Sequence, residues 1–462
     1  MKIPVFLAVP ADGQLLDPAL SMRIGRDARR VLEARRVLRD RIGRRLQDVR
    51  EFVADDDASP LLVGRALARG REALGHDDDG SHHLAVRGTI DVAEGSAPPR
   101  DIDGNPVLAD PRVDTYLTCF NDNPVGTVAD VAARLGIAAL HAGGLTGEGV
   151  AIAIVDTGIN LDFLEAKLGY RPKLDTQYSW RPPGVNVQPG DYPVGHGTMC
   201  AYAALLAAPK ATLIDVPAFI GEPPGGAAIG RRLSVAYQGI AQLSAFWSIA
   251  FTASGAPKYK SLVINNSWGM FHSSWDFPAG HPGRYADNPK HVFTRSVAAM
   301  SSIDHVDMVF AAGNCGTECP DEKCQHVTAA TITGANALSD VLTVAGCDLS
   351  GERVGYSSQG PGIVGMASSK PDLAAYTHFL GSQALGTGKP DKGTSTAGPL
   401  VAGCIAALRT KLDPGTTSPA RLNEQLRQSA RRAADSAWNA DLGNGIIDPV
   451  VAADALGLLA NS

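Results

Sequence analysis

Short apolar runs and helical patterns alternate along most of the chain. The apolar runs are VAIAIV at 150–155, ATLIDVPAF at 211–219, SLVINNSW at 261–268, VDMVFAAG at 306–313 and DVLTVAG at 340–346. Residues with helical spacing lie between them, over 128–144, 198–206, 228–253 and 292–302. An apolar run flanked by helices is typical of a parallel strand that is buried on both faces. The pattern predicts an α/β domain over 114–462, with a mostly parallel sheet and helices on both of its faces.

A different pattern covers the first 113 residues. The run KIPVFLAV near the start predicts a strand, and the breaks at Pro4 and Pro10 disfavour the alternative of a secretory signal. From about residue 20 to 53, apolar residues at near-heptad spacing predict one long amphipathic helix. A second helix is predicted over 60–74, a strand over 83–92 and a linker over 94–106. The sequence therefore predicts a smaller, mainly helical N-terminal region over residues 1–113.

Arginine dominates the polar face of the long helix, with eleven Arg and four acidic residues between Arg23 and Arg50. Such a face can bind an acidic partner or remain solvated, and both alternatives stay open. The net charge of the chain is -6, so its overall charge does not predict nucleic acid as a partner. No apolar run approaches the roughly 18 residues that a membrane-spanning helix needs, so a membrane is not predicted as a partner either.

Six of the seven cysteines fall into two groups. Cys200, Cys347 and Cys404 lie singly in apolar surroundings, which predicts reduced core cysteines and a cytoplasmic location. Three others lie in the stretch AAGNCGTECPDEKCQH, which ends at His326. A disulfide, a four-ligand metal site such as zinc, and free thiols all remain alternatives for this cluster, which consists of Cys315, Cys319, Cys324 and His326.

Three polar groups lie at strand ends or helix starts of the predicted α/β domain. VAIAIV runs into Asp156, and the stretches around His196 and Ser395 each open a helix. In open α/β sheets the reactive side chains gather beyond the carboxyl ends of the strands. An imidazole can take the proton of a serine hydroxyl while a carboxylate orients the imidazole. Together the three groups predict a site for nucleophilic catalysis.

These motifs resemble those of subtilisin-type serine proteases, the subtilase family, also called peptidase family S8. The matching stretches are AIVDTGIN around Asp156, GHGTMCA around His196 and GTSTAGPLVAG around Ser395. NNSWG, AAGN, GYSSQGPG and KPDLAAY agree with the same family, and the resemblance runs from about residue 125 to the end. Met199 and Leu400 stand where the family usually has histidines, which affects packing and pocket shape rather than catalysis.

The resemblance implies a role for each site residue. Ser395 attacks the scissile carbonyl, His196 acts as general base and then as general acid, and Asp156 orients His196. Asn314 donates its side-chain amide to the oxyanion beside the N–H of Ser395. The substrate backbone pairs as an added strand with Ser267, Trp268 and Gly269, opposite a pocket wall made of Ala311, Ala312 and Gly313. A protein or peptide substrate is implied, with neither a cofactor nor a catalytic metal.

The expected function is therefore serine endopeptidase. A sedolisin-like peptidase is disfavoured because that class uses a glutamate base, whereas this chain has His196 and Asn314. A non-catalytic or partner-activated binding protein on the same scaffold remains an alternative, as does a peptide ligase or macrocyclase that uses the same triad. Residues 1–113 are expected to be a propeptide that inhibits the domain intramolecularly, a permanent partner domain or a structural extension.

Overall fold

The computed structural model describes residues 1–11, 15, 28–46, 49, 51–55, 61–63, 83–115, 123–220, 232–253, 258–432 and 437–459. The chain forms two compact units. The first joins Met1–Arg112 with two later segments, Arg232–Pro257 and Ser273–Met300. The second contains Val113–Arg231, Lys258–His272 and Ser301–Ser462. Within the described part of the chain, no helix is long and apolar enough to cross a membrane.

The first unit is built on an antiparallel sheet of six strands. The strands are β1 (Lys2–Pro10), β2 (Phe52–Ala54), β3 (Leu61–Val63), β4 (His83–Asp91), β5 (Asp101–Ile102) and β6 (Asn105–Ala109). Their order is β2-β4-β1-β6-β5, and β3 also pairs with β4. The predicted strands at the N-terminus and at 83–92 are thus confirmed. Strand β1 lies between β4 and β6, and its residues from Val5 to Val9 are buried on both faces of the sheet.

Helix α1 (Ala28–Arg45) is the described part of the long amphipathic helix. Its residues Leu38 and Ile42 are buried in one apolar cluster with Val5 and Leu7 of β1, as the near-heptad stripe predicts. The predicted helix extended to residue 53, whereas the chain leaves α1 at Arg45 and enters β2. Several arginines of α1 are exposed, including Arg36, Arg39 and Arg44.

Two other predictions for the N-terminal region need correction. The helix predicted over 60–74 begins instead with strand β3, and the rest of that range lies outside the described residues. The predicted linker contains the hairpin of β5 and β6, which turns at Asp103 and Gly104 with φ of 51° and 75°. An Asp-Gly pair favours this left-handed turn, so the sequence held a hairpin signal. In its described residues, the N-terminal region is built on a sheet that packs against α1, and it is not mainly helical.

The second unit contains a parallel sheet of seven strands in the order β13-β12-β11-β10-β7-β9-β8. The strands are β7 (Val150–Asp156), β8 (Lys173–Leu174), β9 (Thr212–Pro217), β10 (Ser261–Asn266), β11 (Val306–Ala311), β12 (Leu342–Cys347) and β13 (Leu373–Tyr376). The five apolar runs that predicted parallel strands correspond to β7, β9, β10, β11 and β12. All residues of β7 and β10 are buried, as expected for central strands.

Ten α-helices can be delimited within the described residues. After α1 they are α2 (Val128–Arg134), α3 (Ile137–Ala142), α4 (Leu161–Leu168), α5 (His196–Ala207), α6 (Leu233–Ala253), α7 (Val292–Ser301), α8 (Thr394–Arg409), α9 (Pro419–Ser429) and α10 (Pro449–Ala455). The single helix predicted over 128–144 is divided into α2 and α3 by Gly136, whose φ is 63°. Helices α6 and α7 belong to the first unit, whereas the sequence pattern predicts them as part of the α/β domain over 114–462.

Helices α5 and α8 cross in close contact within the second unit. A Cβ on Gly403 of α8 would lie 2.1 Å from the carbonyl oxygen of Ala204 on α5, so only glycine permits this approach. The two helices begin with His196 and Thr394, beyond the carboxyl ends of the parallel strands. Their crossing therefore fixes the relative positions of the first turns of α5 and α8.

Candidate active site

The carboxylate of Asp156 and the imidazole of His196 form a buried pair. Asp156 is the last residue of β7, and His196 is the first residue of α5. The His196 Nδ1 atom lies 2.8 Å from Oδ1 and 3.0 Å from Oδ2 of Asp156. The backbone N–H of Thr157 donates to the same Oδ1 at 2.7 Å, which further fixes the carboxylate. This geometry can orient the imidazole and stabilise its cationic form.

Close packing of backbone holds the two ends of this pair together. A Cβ on Gly197 would lie 2.5 Å from the carbonyl oxygen of Gly158, so the first turn of α5 can approach β7 only with glycine at this position. The N–H of Gly197 donates to the hydroxyl of Thr157 at 2.9 Å. The Gly-His-Gly motif thus places the imidazole beside the strand end.

Ser395 lies in the first turn of α8 and is 3% exposed. The preceding Gly393 has a φ of 87°, which lets the chain turn sharply into the helix. Tyr356 and Thr377 hold this turn: the N–H of Gly393 donates to the Tyr356 hydroxyl at 3.0 Å, and the Thr377 hydroxyl donates to the Gly393 carbonyl at 2.7 Å. The Ser395 hydroxyl donates to the Ser267 carbonyl at 3.3 Å.

Cys200 joins the Asp156–His196 pair to the turn that carries Ser395. Its Sγ lies 3.5 Å from Asp156 Oδ2 and 3.2 Å from the carbonyl oxygen of Ser395. Burial and the nearby charge of Asp156 raise the pKa of this thiol well above its usual value, so it stays neutral. Asp156, His196 and Cys200 are also the one group of three close potential metal ligands that the described residues contain.

Asn314 faces the start of α8. Its Oδ1 accepts the backbone N–H of Thr394 at 2.9 Å and the hydroxyl of Thr394 at 3.1 Å. A Cβ on Gly393 would lie 3.4 Å from Asn314 Nδ2 and 3.5 Å from both the backbone nitrogen and Oγ of Ser395. Two N–H donors and the serine hydroxyl therefore surround the space beside Gly393, where they can stabilise an oxyanion.

The predicted substrate-binding residues line one cleft. It brings together every residue of the two predicted walls with Asn314 and Ser395; the wall residues are Ser267, Trp268, Gly269, Ala311, Ala312 and Gly313. Asn336 links the walls, because its Nδ2 donates to the carbonyls of Trp268 at 3.2 Å and Ala311 at 2.9 Å. The indole of Trp268 packs against Phe219 and Phe310 and is 3% exposed, so this side chain is part of the core beneath the cleft.

A short segment of the chain itself lies in this cleft. The N–H of Asp114 donates to the carbonyl of Gly269 at 3.0 Å, and the N–H of Gly269 donates to the carbonyl of Asp114 at 3.1 Å. These two bonds form an antiparallel bridge of the kind made by an added strand. Asp114 and Thr115 are each 1% exposed and line the cleft together with Ser395.

The cysteine cluster behind Asn314 is oxidised. Cys315 and Cys324 form a disulfide, and Cys319 is disulfide-bonded too, which excludes the zinc site for these thiols. The N–H of Asp321 within the loop donates to the carbonyl of Asn314 at 2.9 Å, so the loop is tied to the backbone of Asn314. Disulfides are typical of oxidising compartments. The cytoplasmic location stays a prediction, and this disulfide is the observation that weighs against it.

A buried carboxyl group lies behind the pair formed by Asp156 and His196. Oδ2 of Asp215 accepts the N–H of Ile159 at 3.2 Å and the N–H of Gly190 at 2.9 Å. Burial, reinforced by the charge of Asp156, raises the pKa of Asp215 to about 7. Asp215 thus ties the chain just after Asp156 to the chain just before His196.

Sequence reasoning missed several residues that hold this site. Cys200, Tyr356 and Asn336 each lie within or beside a recognised motif or strand, but their own partners are distant in sequence. The segment at Asp114 was missed because a three-residue stretch carries no strand pattern. A polar residue inside an otherwise apolar run, such as Asp215 in TLIDVP, is the signal that could have been used.

Comparison with known proteins agrees with this geometry. The model of the subtilase family, Peptidase_S8, matches residues 147–445. An alkaline protease of Shouchella clausii is 25% identical over 374 residues, which cover 78% of each chain. Subtilisin Savinase of Lederbergia lenta is 25% identical over 325 residues, which cover 68% of this chain and 94% of the relative.

A solved structure supports the fold. Fervidolysin from Fervidobacterium pennivorans, described as a keratinolytic enzyme related to subtilisin, superposes with a TM-score of 0.51 at 16% sequence identity. The match covers 98% of this chain and 61% of fervidolysin. The family match spans both helices and all the strand ends that form the site. The chain therefore belongs to the subtilase family and is a serine protease of the subtilisin type.

Proposed function

We propose that the protein is a serine endopeptidase that works through Asp156, His196 and Ser395. Ser395 Oγ attacks the scissile carbonyl while His196 takes its proton. The imidazolium then donates that proton to the leaving amine, which leaves an acyl-enzyme on Ser395. Water, activated by His196, releases the acyl group. The observation that carries the proposal is the buried pair of His196 and Asp156, which prepares the imidazole to act as a base.

The negative charge that develops on the carbonyl oxygen in this reaction has to be stabilised by hydrogen-bond donors. Asn314 Nδ2 and the backbone N–H of Ser395 face the same space beside Gly393. The N–H of Ser395 also lies in the first turn of a 16-residue helix, where the helix dipole favours negative charge. Asn314 cannot swing away freely, because its Oδ1 is held by Thr394. Preorganised donors of this kind need no rearrangement when the oxyanion forms.

Substrate is proposed to bind as a strand along Ser267, Trp268 and Gly269. The bridge between Asp114 and Gly269 supports this, because it uses the same backbone groups that a peptide substrate would need. The same observation supports intramolecular inhibition: while Asp114 and Thr115 lie in the cleft, a substrate has to compete with them. Inhibition by residues next to the N-terminal region is therefore part of the proposal.

The catalytic proposal is tested with a fluorophosphonate, which acylates activated serines. The intact masses of the wild type and of Ser395→Ala are measured after incubation, together with hydrolysis of a casein substrate. We expect one adduct on the wild type, none on the variant, and no hydrolysis by the variant. Hydrolysis that survives in Ser395→Ala would remove Ser395 from the mechanism. The circular dichroism of both proteins checks that the variant is folded.

Inhibition by the cleft segment is tested with two substitutions of one residue. Asp114→Pro removes the N–H that donates to Gly269, whereas Asp114→Asn keeps that N–H and keeps an acceptor for the N–H of Thr115. We expect the proline variant to react with the fluorophosphonate several-fold faster than the wild type, and the asparagine variant to react at the wild-type rate. Equal rates for all three proteins would show that the segment does not limit access to Ser395.

A further inference from the structure

The first unit contains residues from three separate parts of the sequence. Residues 1–112 supply its sheet and α1, and the segments 232–257 and 273–300 come from much later in the chain. A removable propeptide would be expected to fold largely from its own residues. We propose instead that residues 1–112 are a permanent part of the protein, which stays bound through these two later segments even when the chain is cut after Thr115.

Strand β1 makes apolar contacts with the later segments that support this proposal. Side chains alternate between the two faces of a strand, so Phe6 faces away from Val5 and Leu7. Val5 and Leu7 belong to the cluster that contains the α1 residues, whereas Phe6 meets Tyr237 and His291 of the later segments, at ring distances of 6.1 and 6.0 Å. Without the later segments one face of β1 would lose its cover, because Phe6 is 0% exposed in the folded chain.

A later segment also makes backbone contacts with strand β6. The N–H of Ala109 donates to the carbonyl of Gly283 at 2.8 Å, and His291 Nε2 donates to the carbonyl of Ala109 at 2.8 Å. Burial lowers the pKa of His291 to about 4, so the imidazole is neutral and can serve as this donor at neutral pH. A Cβ on Gly283 would lie 2.0 Å from the carbonyl oxygen of Val107, which shows how closely the two backbones approach.

A buried carboxylate joins the end of residues 1–112 to the start of α6. Asp110 is 2% exposed, and its two oxygens accept the N–H of Ser234 at 2.9 Å and the hydroxyl of Ser234 at 2.7 Å. The N–H of Leu233 donates to the carbonyl of Pro111 at 3.1 Å. These bonds satisfy two of the backbone donors that the first turn of a helix leaves free. If residues 1–112 dissociated, the N–H groups of Leu233 and Ser234 would lose their acceptors. The face of β1 that carries Phe6 would become exposed to solvent at the same time.

The test uses a protein that cannot cleave itself. In the Ser395→Ala background, residues 117–122 are replaced by the recognition sequence of a site-specific protease, and the purified full chain is cut with that protease. Denaturing electrophoresis is expected to show two chains, while size-exclusion chromatography at nanomolar concentration shows one particle that elutes with the uncut protein. Elution of the N-terminal chain as a separate species would overturn the proposal.

Substitutions at the shared contacts show whether those contacts cause the retention. Asp110→Ala is expected to speed the loss of the N-terminal chain after the cut by about tenfold or more, because it leaves the donors of Ser234 unpaired. The matched control Asp91→Ala changes an exposed aspartate at the end of β4. After the cut, this control should release the N-terminal chain no faster than the parent protein, which has Asp110 and Asp91 unchanged. If Asp110→Ala fails to fold, Ser234→Ala removes only the hydroxyl donor and is expected to give a smaller acceleration. An unchanged release rate in both variants would overturn the role of this contact.

The result does not depend on peptidase activity, because the cut is made by an added protease. Failure of the catalytic proposal would appear in the fluorophosphonate experiment, whereas failure of this one would appear as separation of the two chains. The two proposals can therefore be rejected independently.

Discussion

Single residues in this protein do more than one task at the active site. Asn314 holds Thr394 through its Oδ1 and presents its Nδ2 toward the space beside Ser395. Cys200 lies within hydrogen-bond reach of both Asp156 and the backbone of Ser395. A substitution at such a residue changes both position and chemistry, so variants must be chosen that separate the two.

The two roles of Asn314 lead to a paired prediction. Asn314→Ala removes the proposed oxyanion donor and the anchor of Thr394, whereas Asn314→Asp keeps an oxygen acceptor for Thr394 and replaces the amide donor by a carboxyl group. We expect both variants to lose about 10²–10³ in kcat with little change in KM, because the donor acts mainly in the transition state. Steady-state kinetics on a peptide substrate check this. A loss confined to KM would assign Asn314 to substrate binding instead.

The buried carboxyl group of Asp215 predicts a pH-dependent stability. It keeps its proton in the folded chain up to about pH 7, while in the unfolded chain it ionises near 3.8. The folded state binds more protons between these values, so the contribution of Asp215 is fully present below the unfolded pKa and is lost as the pH rises through 7. Asp215→Asn cannot ionise and keeps an acceptor for Ile159 and Gly190.

We therefore expect Asp215→Asn to be more stable than its parent at pH 8, by at most a few kcal/mol at about 1.4 kcal/mol per pKa unit. The advantage should shrink toward pH 4. Urea unfolding at both pH values, in the Ser395→Ala background to avoid self-digestion, measures it. A stability difference that does not vary with pH would contradict a raised pKa for Asp215.

At the scale of elements, the site depends on two helices and one loop. Helices α5 and α8 carry His196 and Ser395 in their first turns, and the parallel sheet supplies Asp156 and Asn314 at or just beyond strand ends. The disulfide loop from Cys315 to Cys324 follows Asn314 directly. The relative placement of these elements, rather than any one of them, decides whether the proposed catalytic groups meet.

The crossing of α5 and α8 can be tested with a glycine. Gly403→Ala would place a Cβ 2.1 Å from the Ala204 carbonyl oxygen and force the helices apart. We expect a loss of about 1–3 kcal/mol or more in the free energy of unfolding, together with reduced hydrolysis. Gly43→Ala on α1 is the control, because a Cβ there meets nothing within 4 Å; it should be neutral or stabilising by about 0.5–1 kcal/mol. Equal effects at both glycines would argue against the crossing as the cause.

The disulfide loop can be tested by removing both of its sulfurs. Cys315→Ser combined with Cys324→Ser opens a loop with a sequence separation of 9. We expect a loss on the order of 2–3 kcal/mol in stability, since a short closed loop restrains the unfolded chain. We also expect a lower kcat, because Asp321 then holds the Asn314 carbonyl less firmly. An unchanged kcat in a folded variant would mean that the loop is not needed to position Asn314.

At the scale of the whole molecule, the N-terminal residues and the cleft segment are continuous in the chain. Residues 1–112 belong to the first unit, and Val113–Thr115 follow directly, with Asp114 paired to Gly269. If residues 1–112 are retained after a cut, the cleft segment remains tethered at an effective concentration in the millimolar range. A tethered segment inhibits regardless of how far the protein is diluted.

This tether predicts how the active enzyme behaves when cut. With the added protease site in place of residues 117–122 but Ser395 intact, we expect the specific activity of the cut enzyme to stay constant over about a hundredfold dilution. The Asp110→Ala version should gain activity on dilution as its N-terminal chain leaves. Peptide hydrolysis measured across the dilution series checks both. A gain on dilution without the substitution would mean that the N-terminal chain acts as a dissociable inhibitor.

Local sequence patterns predict the parallel strands, and they single out Asp156, His196 and Ser395 as the proposed catalytic groups. A continuous apolar run such as VAIAIV is consistent with burial on both faces, and a glycine beside His196 or Ser395 marks a turn into a helix; both signals are local. The disulfide of Cys315 stayed one of several alternatives, because its partner choice depends on how the loop folds.

The composition of the first unit and the bridge between Asp114 and Gly269 depend on tertiary contacts. Phe6 and Gly283 are far apart in sequence, and nothing in their neighbourhoods specifies that they belong to one unit. The face of β1 that carries Phe6 has to be covered by apolar residues. Several segments of the chain have a local sequence pattern that would allow them to cover it. The choice follows from burial and hydrogen bonding summed over the folded unit, which no short stretch of sequence contains.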